Sequence, residues 1–161
     1  MEEPVRSFPQ LTSAVDAVGE EFGRNAQLVH LPAGQFVCME GQTCGHLALV
    51  ISGSVRVYKS GETGREITLY RVSRGGTCIR TASCILNKRA FPAFALTETE
   101  VAAYAVPATI FRRWVGQYPP WQHYVFQLLS ERLESVIEVV EEVAFRRMDS
   151  RLADYLLSAP G

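Results

Sequence analysis

At 161 residues the chain has room for one domain and an appendage, and its 47% apolar content can supply a sizeable core. A formal net charge of −1 gives no bulk attraction toward nucleic acid or a membrane surface. No apolar run approaches the ~20 residues that span a bilayer, and residues 1–18 lack the basic-then-apolar order of a signal peptide, so a cytoplasmic protein with reduced cysteines is expected.

Residues 1–24 read as a polar, proline-punctuated arm and a short amphipathic helix on Leu11, Val15, Val18 and Phe22, ended by Gly23 to Ala26. From 25 to 118 the pattern becomes one of strands. Gln27–Leu31, Gln35–Met39, His46–Ile51, Ser54–Lys59, Arg65–Val72 and Val101–Val106 are short runs rich in Val, Ile, Leu, Tyr and Phe. Turn signals separate them at Pro32 to Gly34, Glu40 to Gln42, Ser52-Gly53, Gly61 to Gly64 and Arg74 to Gly76. Short strands at this regular spacing predict an all-β sandwich, barrel or roll. Pro107 then opens a short helix through Trp114.

The stretch from Pro119 to Met148 predicts one long helix, with proline only in its first turn, where it is tolerated. Phe126, Leu129, Leu133, Val136, Val140 and Val143 recur at alternating spacings of three and four, a heptad rhythm that keeps one apolar seam toward a partner helix. Glu131, Glu134, Glu138, Glu141 and Glu142 carry much of the solvated side. Such a helix is about 42 Å long, more than a domain of this size needs, so a homodimer seam is expected in preference to an intramolecular core helix. Asp149 or Ser150 offers an N-cap for a last helix bearing Leu152, Tyr155, Leu156 and Leu157. The expected segments are therefore 1–24, 25–118, 119–148 and 149–161.

Little points to catalysis: the chain has no G-x-S-x-G, H-E-x-x-H or phosphate-cradling G-x-x-x-x-G-K pattern, and no enzyme is expected. Cys38 and Cys44 are six apart, as are Cys78 and Cys84. That is not a usual metal-ligand spacing, and no metal site is expected. Buried, inert thiols are the first reading; a redox pair of Cys78 and Cys84 is the alternative.

The residues in order resemble a known family. "LPAGQFVCMEGQTCGHLALVISGSVRVYKSGETGREITLYRVSRGGTC" resembles the first part of the cyclic-nucleotide-binding β-roll of Crp/Fnr bacterial transcription regulators. "TETEVAAYAVPATIFRRWVGQYP" is similar to its last strand and following helix. "ERLESVIEVVEEVAFRRMDSRLADYLL" is similar to the dimerisation helix, the hinge and the first helix of the DNA-binding domain. The resemblance implies a mainly β sensor domain, a double-stranded β-helix (jelly-roll-like), that binds a small-molecule effector and forms a homodimer through the long helix. In relatives a winged helix-turn-helix follows and reads DNA. This chain ends at Gly161, ahead of any recognition helix, which reads as truncation at the hinge, so DNA contact is expected only through a domain absent from it, and no membrane contact is expected. The alternative is a stand-alone ligand or redox sensor module with no transcriptional role.

Nucleotide-binding members hold the cyclic phosphate and ribose with Gly-Glu and, about ten residues later, Arg-Ser/Thr/Ala-Ala. Here Ile79-Arg80 stands where Gly-Glu is expected, and Phe91-Pro92-Ala93 replaces the arginine motif. Cyclic AMP is therefore not expected as ligand. The resemblance places a different effector site at Arg80, Thr81, Ala82, Ser83, Arg89 and Phe91, with Arg132 and Val136 from the long helix. Two arginines with hydroxyls suit a carboxylate or phosphate. The Arg80 guanidinium is expected to turn into the roll, against Glu98, Glu100 or an anionic effector. In the opposing reading the arginines are solvated or ion-paired and Phe91 fills a collapsed pocket. Iron–sulfur members carry cysteines in an N-terminal arm, and residues 1–37 have none. The pocket histidine of haem-binding relatives falls at Thr81, so neither cofactor is expected.

Overall fold

The computed structural model describes Phe8, Leu11 and residues 17–158. Residues divide into two units, 1–125 and 126–161. The first unit opens with helix α1 (Ala17–Asn25), which buries Val18. Its predicted neighbour Val15 lies outside the described residues. α1 runs through Gly23 and ends at Asn25, within the predicted stretch, because an exposed helical glycine costs only about 1 kcal/mol and Glu20 and Glu21 each bond one turn ahead, to Arg24 and Asn25.

Seven strands follow: β1 (Gln27–Leu31), β2 (Phe36–Cys38), β3 (His46–Ser52), β4 (Val55–Ser60), β5 (Glu66–Val72), β6 (Phe94–Thr97) and β7 (Val101–Pro107). They form two antiparallel sheets, ordered β1-β7-β3 and β2-β6-β4-β5. The predicted turns each contain a glycine with positive φ: Gly34, Gly41, Gly53, Gly64 and Gly75. At Gly53 the requirement is steric as well, since a Cβ there would lie 2.1 Å from the Glu100 carbonyl oxygen. Val55 and Val57 of β4, Ala95 and Thr97 of β6 and Val101 and Ala103 of β7 are buried two apart, in the period-two pattern of a strand face, while Leu47 and Leu49 of β3 are buried on the face opposite Ala48 and Val50. This is the double-sheet jelly-roll class that the sequence predicts.

Two elements were not visible in the strand pattern. Residues 79–87 form helix α2 (Ile79–Asn87), closed by Lys88 in the left-handed conformation. Strand β6 follows it directly. After β7 comes helix α3 (Ala108–Gln117), which buries Phe111 and Trp114. Glu21 of α1 accepts hydrogen bonds from the Trp114 indole N–H (3.2 Å) and the Arg113 guanidinium (2.5 Å). The indole bond, aided by the Arg113 charge, holds this carboxyl below its ordinary value.

Helix α4 (Pro119–Ser158) begins on buried Trp121, Tyr124 and Val125 and continues into the second unit. It does not stop at Met148. Between Trp121 and Ser158 there is no proline or glycine to interrupt the hydrogen-bond ladder, so Asp149 and Ser150 sit within a continuous helix instead of capping a new one. In the second unit all six predicted seam residues are 44 to 67% exposed. Phe145, Met148, Leu152, Tyr155 and Leu156 are exposed as well.

Candidate functional site

A cavity of about 250 Å³ lies between the two sheets. Val29 and Leu31 of β1, Ala48 and Val50 of β3 and Ala105 of β7 line it from one side; Val55, Val72 and Ala95 line it from the other. Its polar wall consists of Gln42, Thr43, His46 and Thr81, joined by Cys38, Cys44 and Cys78. No lysine, arginine, aspartate or glutamate is among these lining residues.

The segment carrying Cys78 and Thr81 is fixed to the edge of β3. Val50 N–H donates to the Gly76 carbonyl and Gly75 N–H to the Val50 carbonyl, both at 2.9 Å. The Thr77 hydroxyl donates to the Ala48 carbonyl at 2.5 Å. The chain then enters α2, and helical geometry sorts the predicted site residues by face. Thr81, Ala82, Cys84 and Ile85 are buried; Arg80 is half-buried and Ser83 exposed. Of the eight predicted effector contacts, Thr81 lines the cavity. Ala82 is packed behind it, and Phe91 is fully buried, its backbone bonded to Gly41 and Gln42. Arg89 is exposed. Arg132, half-buried, and Val136, exposed, belong to the second unit.

Arg80 departs most from expectation. Its backbone N–H meets the Tyr70 hydroxyl at 3.4 Å, but its side chain is not part of this cavity wall. Glu98 is not its acceptor: Arg71 donates to that carboxylate from Nε and Nη2 at 2.9 to 3.2 Å, and the Ser54 hydroxyl donates to it as well. No ion pair to Arg80 is present among the described residues. The reason is the helix: one residue of α2 turns a side chain by about 100°, so Arg80 and Thr81 cannot face the same space.

The cysteines also sort differently. The sulfurs in contact are those of Cys38 and Cys44, 3.6 Å apart and both buried. Cys78 Sγ instead lies 3.4 Å from the Tyr70 hydroxyl, and Cys84 Sγ donates to the Ala90 carbonyl at 3.4 Å. Identical sequence spacing gives different geometry. Residues 39–42 form a tight turn that folds Cys44 back onto Cys38, whereas Cys78 precedes α2 and Cys84 lies along it. Burial pushes the Cys44 thiol far up and the Cys38 and Cys84 thiols up. Burial, then the neighbouring Cys78, does the same to Tyr70. Nothing in the sequence pointed to Tyr70 or His46 as neighbours of this site; both sit on strands whose inward register only the sheet pairing fixes. Among the described residues no group of three His, Cys, Asp or Glu is placed to hold a metal ion.

Two antiparallel sheets closed over a small cavity, with a helix inserted before β6 and a long helix at the end, define a β-roll sensor domain. The cyclic nucleotide-binding domain family matches residues 28–118, and the chain belongs to that family, alongside its Crp/Fnr-type transcription regulators. It is 26% identical over 134 residues to a CRP-like cAMP-activated global transcriptional regulator of Mycobacterium tuberculosis, covering 83% of this chain and 59% of the relative. The chain thus spans less than two thirds of that relative's length. Among solved structures, a Crp/Fnr-family transcriptional regulator from Eubacterium rectale is 28% identical with a TM-score of 0.75, covering 94% of this chain and 70% of that one. The sensor domain of the transcriptional regulator DNR from Pseudomonas aeruginosa, 21% identical with a TM-score of 0.67, shares the fold over 85% of this chain and 91% of its own. These relatives are regulators, not enzymes, and no described helix is long and apolar enough to cross a membrane.

Proposed function

We propose that the roll senses a small, uncharged or weakly polar effector and that the helix beyond Phe126 joins two copies of the chain. The observation that carries this reading is the contrast in apolar surface: the roll buries its own core, while a six-residue heptad face stands exposed on the helix. Contiguous apolar surface of this kind marks an interaction site. A heptad repeat is self-complementary, which favours a second copy of the same helix as occupant.

The cavity wall supports an effector other than a cyclic nucleotide. A phosphate in this space would meet no lysine or arginine side chain, and an unpaired buried charge costs several kcal/mol. Phe91 fills the position of the family's phosphate arginine. Thr81 is the sequence candidate carried forward as a ligand contact, joined by His46 and Gln42. Effector binding would act by shifting the balance between two arrangements of the dimer. The described residues themselves are proposed to contact no DNA, since the chain carries a net charge of −1.

Thermal melts with cyclic AMP or cyclic GMP test the ligand half of this proposal. A ligand at 100 times its dissociation constant stabilises by about 2.7 kcal/mol, an easily measured shift. No shift is expected with either nucleotide. A clear shift would show that the phosphate is held by groups outside this cavity wall. Sedimentation tests the other half: a dimer at micromolar concentration is expected, and a monomer would refute the seam.

A further inference from the structure

We propose that Cys38 and Cys44 are a reversible dithiol–disulfide pair, a covalent oxidation site built into the wall of the cavity. The site stands on geometry alone and does not depend on the effector assignment. The two sulfurs touch at 3.6 Å, and closing them to the ~2.04 Å of a disulfide needs about 1.6 Å of approach. The tight turn at 39–42 supplies the close return of the chain, held by mutual contacts of Met39 and Gln42. Both residues are buried but line the cavity, which is the route by which a small oxidant would reach them. The sulfurs of Cys78 and Cys84 contact the Tyr70 hydroxyl and the Ala90 carbonyl, both at 3.4 Å, and Cys84 also reaches the Cys44 thiol, so a peptide map is needed to separate a Cys38–Cys44 bond from a Cys44–Cys84 one.

The chemistry balances with a hydroperoxide as oxidant. One thiolate attacks the peroxide oxygen, breaking the O–O bond to give a sulfenic acid and, with a proton, an alcohol or water. The second thiol then displaces the sulfenic hydroxyl as water, and the S–S bond forms. The dithiol has lost two electrons and two protons. A low-molecular-weight disulfide serves equally, through a mixed disulfide, and leaves as two thiols. Because burial raises both thiols, closure is slow at neutral pH and faster in mild alkali.

Differential alkylation of the full chain decides the question. Reduced protein is treated with hydrogen peroxide or oxidised glutathione in mildly alkaline buffer. Free thiols are blocked, the protein is reduced again, and the newly freed thiols receive a second label. Trypsin then separates the candidates, because Cys38 and Cys44 share the peptide 25–56 while Cys78 and Cys84 fall on peptides 75–80 and 81–88. The second label is expected on both cysteines of peptide 25–56 and on neither of the others, with the chain uncrosslinked on a non-reducing gel. Cys38→Ser should abolish the label at Cys44, and Cys78→Ser should leave it intact. If Cys38→Ser fails to fold, the peptide map of the parent still decides. The proposal is overturned by second label on the Cys78 or Cys84 peptides, by a crosslink between chains, or by four thiols that all take the first label.

Discussion

Leu47 and Leu133 are the same residue in opposite circumstances. Leu47, on β3, has no exposed surface, and Leu133, on the long helix, is 61% exposed. The two units repeat this difference throughout. In the roll, large apolar side chains meet one another across the sheets; in the helix they form rows that stand open to solvent. A strand with one buried face finds its cover within about a hundred residues of its own chain, whereas a heptad seam is completed by another helix. One unit covers its own apolar residues, and the other leaves them exposed.

The largest expected effect would break that comparison outright. Changing Leu133 and Val140 together to Glu places two charges per chain in the seam and should convert a micromolar dimer to monomer by sedimentation, with the β signal in circular dichroism retained. Leu152→Glu sharpens the boundary. The heptad positions after Val143 fall on Arg147 and Ser150, so the seam ends there and this variant should remain dimeric.

Next in size is truncation within the roll. Phe91→Ala removes a fully buried ring and should cost about 3–5 kcal/mol, read as a lower denaturant midpoint. Val140→Ala, measured at protein concentrations below dimer formation, should stay within about 0.5 kcal/mol. Equal losses at the two sites would erase the distinction between the units.

Gly53→Ala is expected to lose about 1–3 kcal/mol, because the new methyl would collide with the Glu100 carbonyl and the positive φ disfavours any Cβ. Gly64→Ala, also at positive φ but with open space around it, should lose less. The reverse ranking in thermal melts would place the strain elsewhere.

The smallest effect concerns Glu21, where α1 meets α3. Its carboxyl is held below the ordinary value, so its contribution is present above the unfolded carboxylate pKa and disappears as pH falls through the lower folded one. Glu21→Gln should therefore be less stable than the parent at neutral pH, and the two midpoints should converge in acid. A gap that persists unchanged in acid would assign the effect to packing.

Much of the roll was legible because glycine turns and apolar alternation are local properties. Gly34, Gly41, Gly53, Gly64 and Gly75 each announced a turn, and the strands between them were fixed within a residue or two. Helix α2 was not legible: Thr77-Cys78-Ile79-Arg80-Thr81 has the β-branched content of a strand, and its N-cap residue, Cys78, makes no capping bond to advertise a helix. Missing that helix misplaced Arg80 and joined Cys78 to Cys84. Strand β6, Phe94-Ala95-Leu96-Thr97, is too short to stand out and is held by pairing with β4 and β2. The polar cavity wall depends on which residues two sheets bring together across long sequence separations, information no local pattern carries. The helix end was misjudged for the opposite reason: Asp149-Ser150 is a good capping pair, but a cap forms only where the chain has cause to turn.

The chain's two tryptophans are both buried, with ring centroids 4.9 Å apart at a tilt of 32°. At that separation the transition dipoles of two indoles couple, and the pair absorbs circularly polarised light as a single chiral chromophore. Trp114 belongs to α3, whose first residue, Ala108, donates its N–H to the Gly45 carbonyl beside Cys44. Trp121 sits in the first turn of α4. If a change at residues 44 and 45 is passed along that bond to α3, the tilt between the rings should change. Near-ultraviolet circular dichroism would read such a change without a dye, and a spectrum unaltered by an added compound would show that the ring pair does not respond to it.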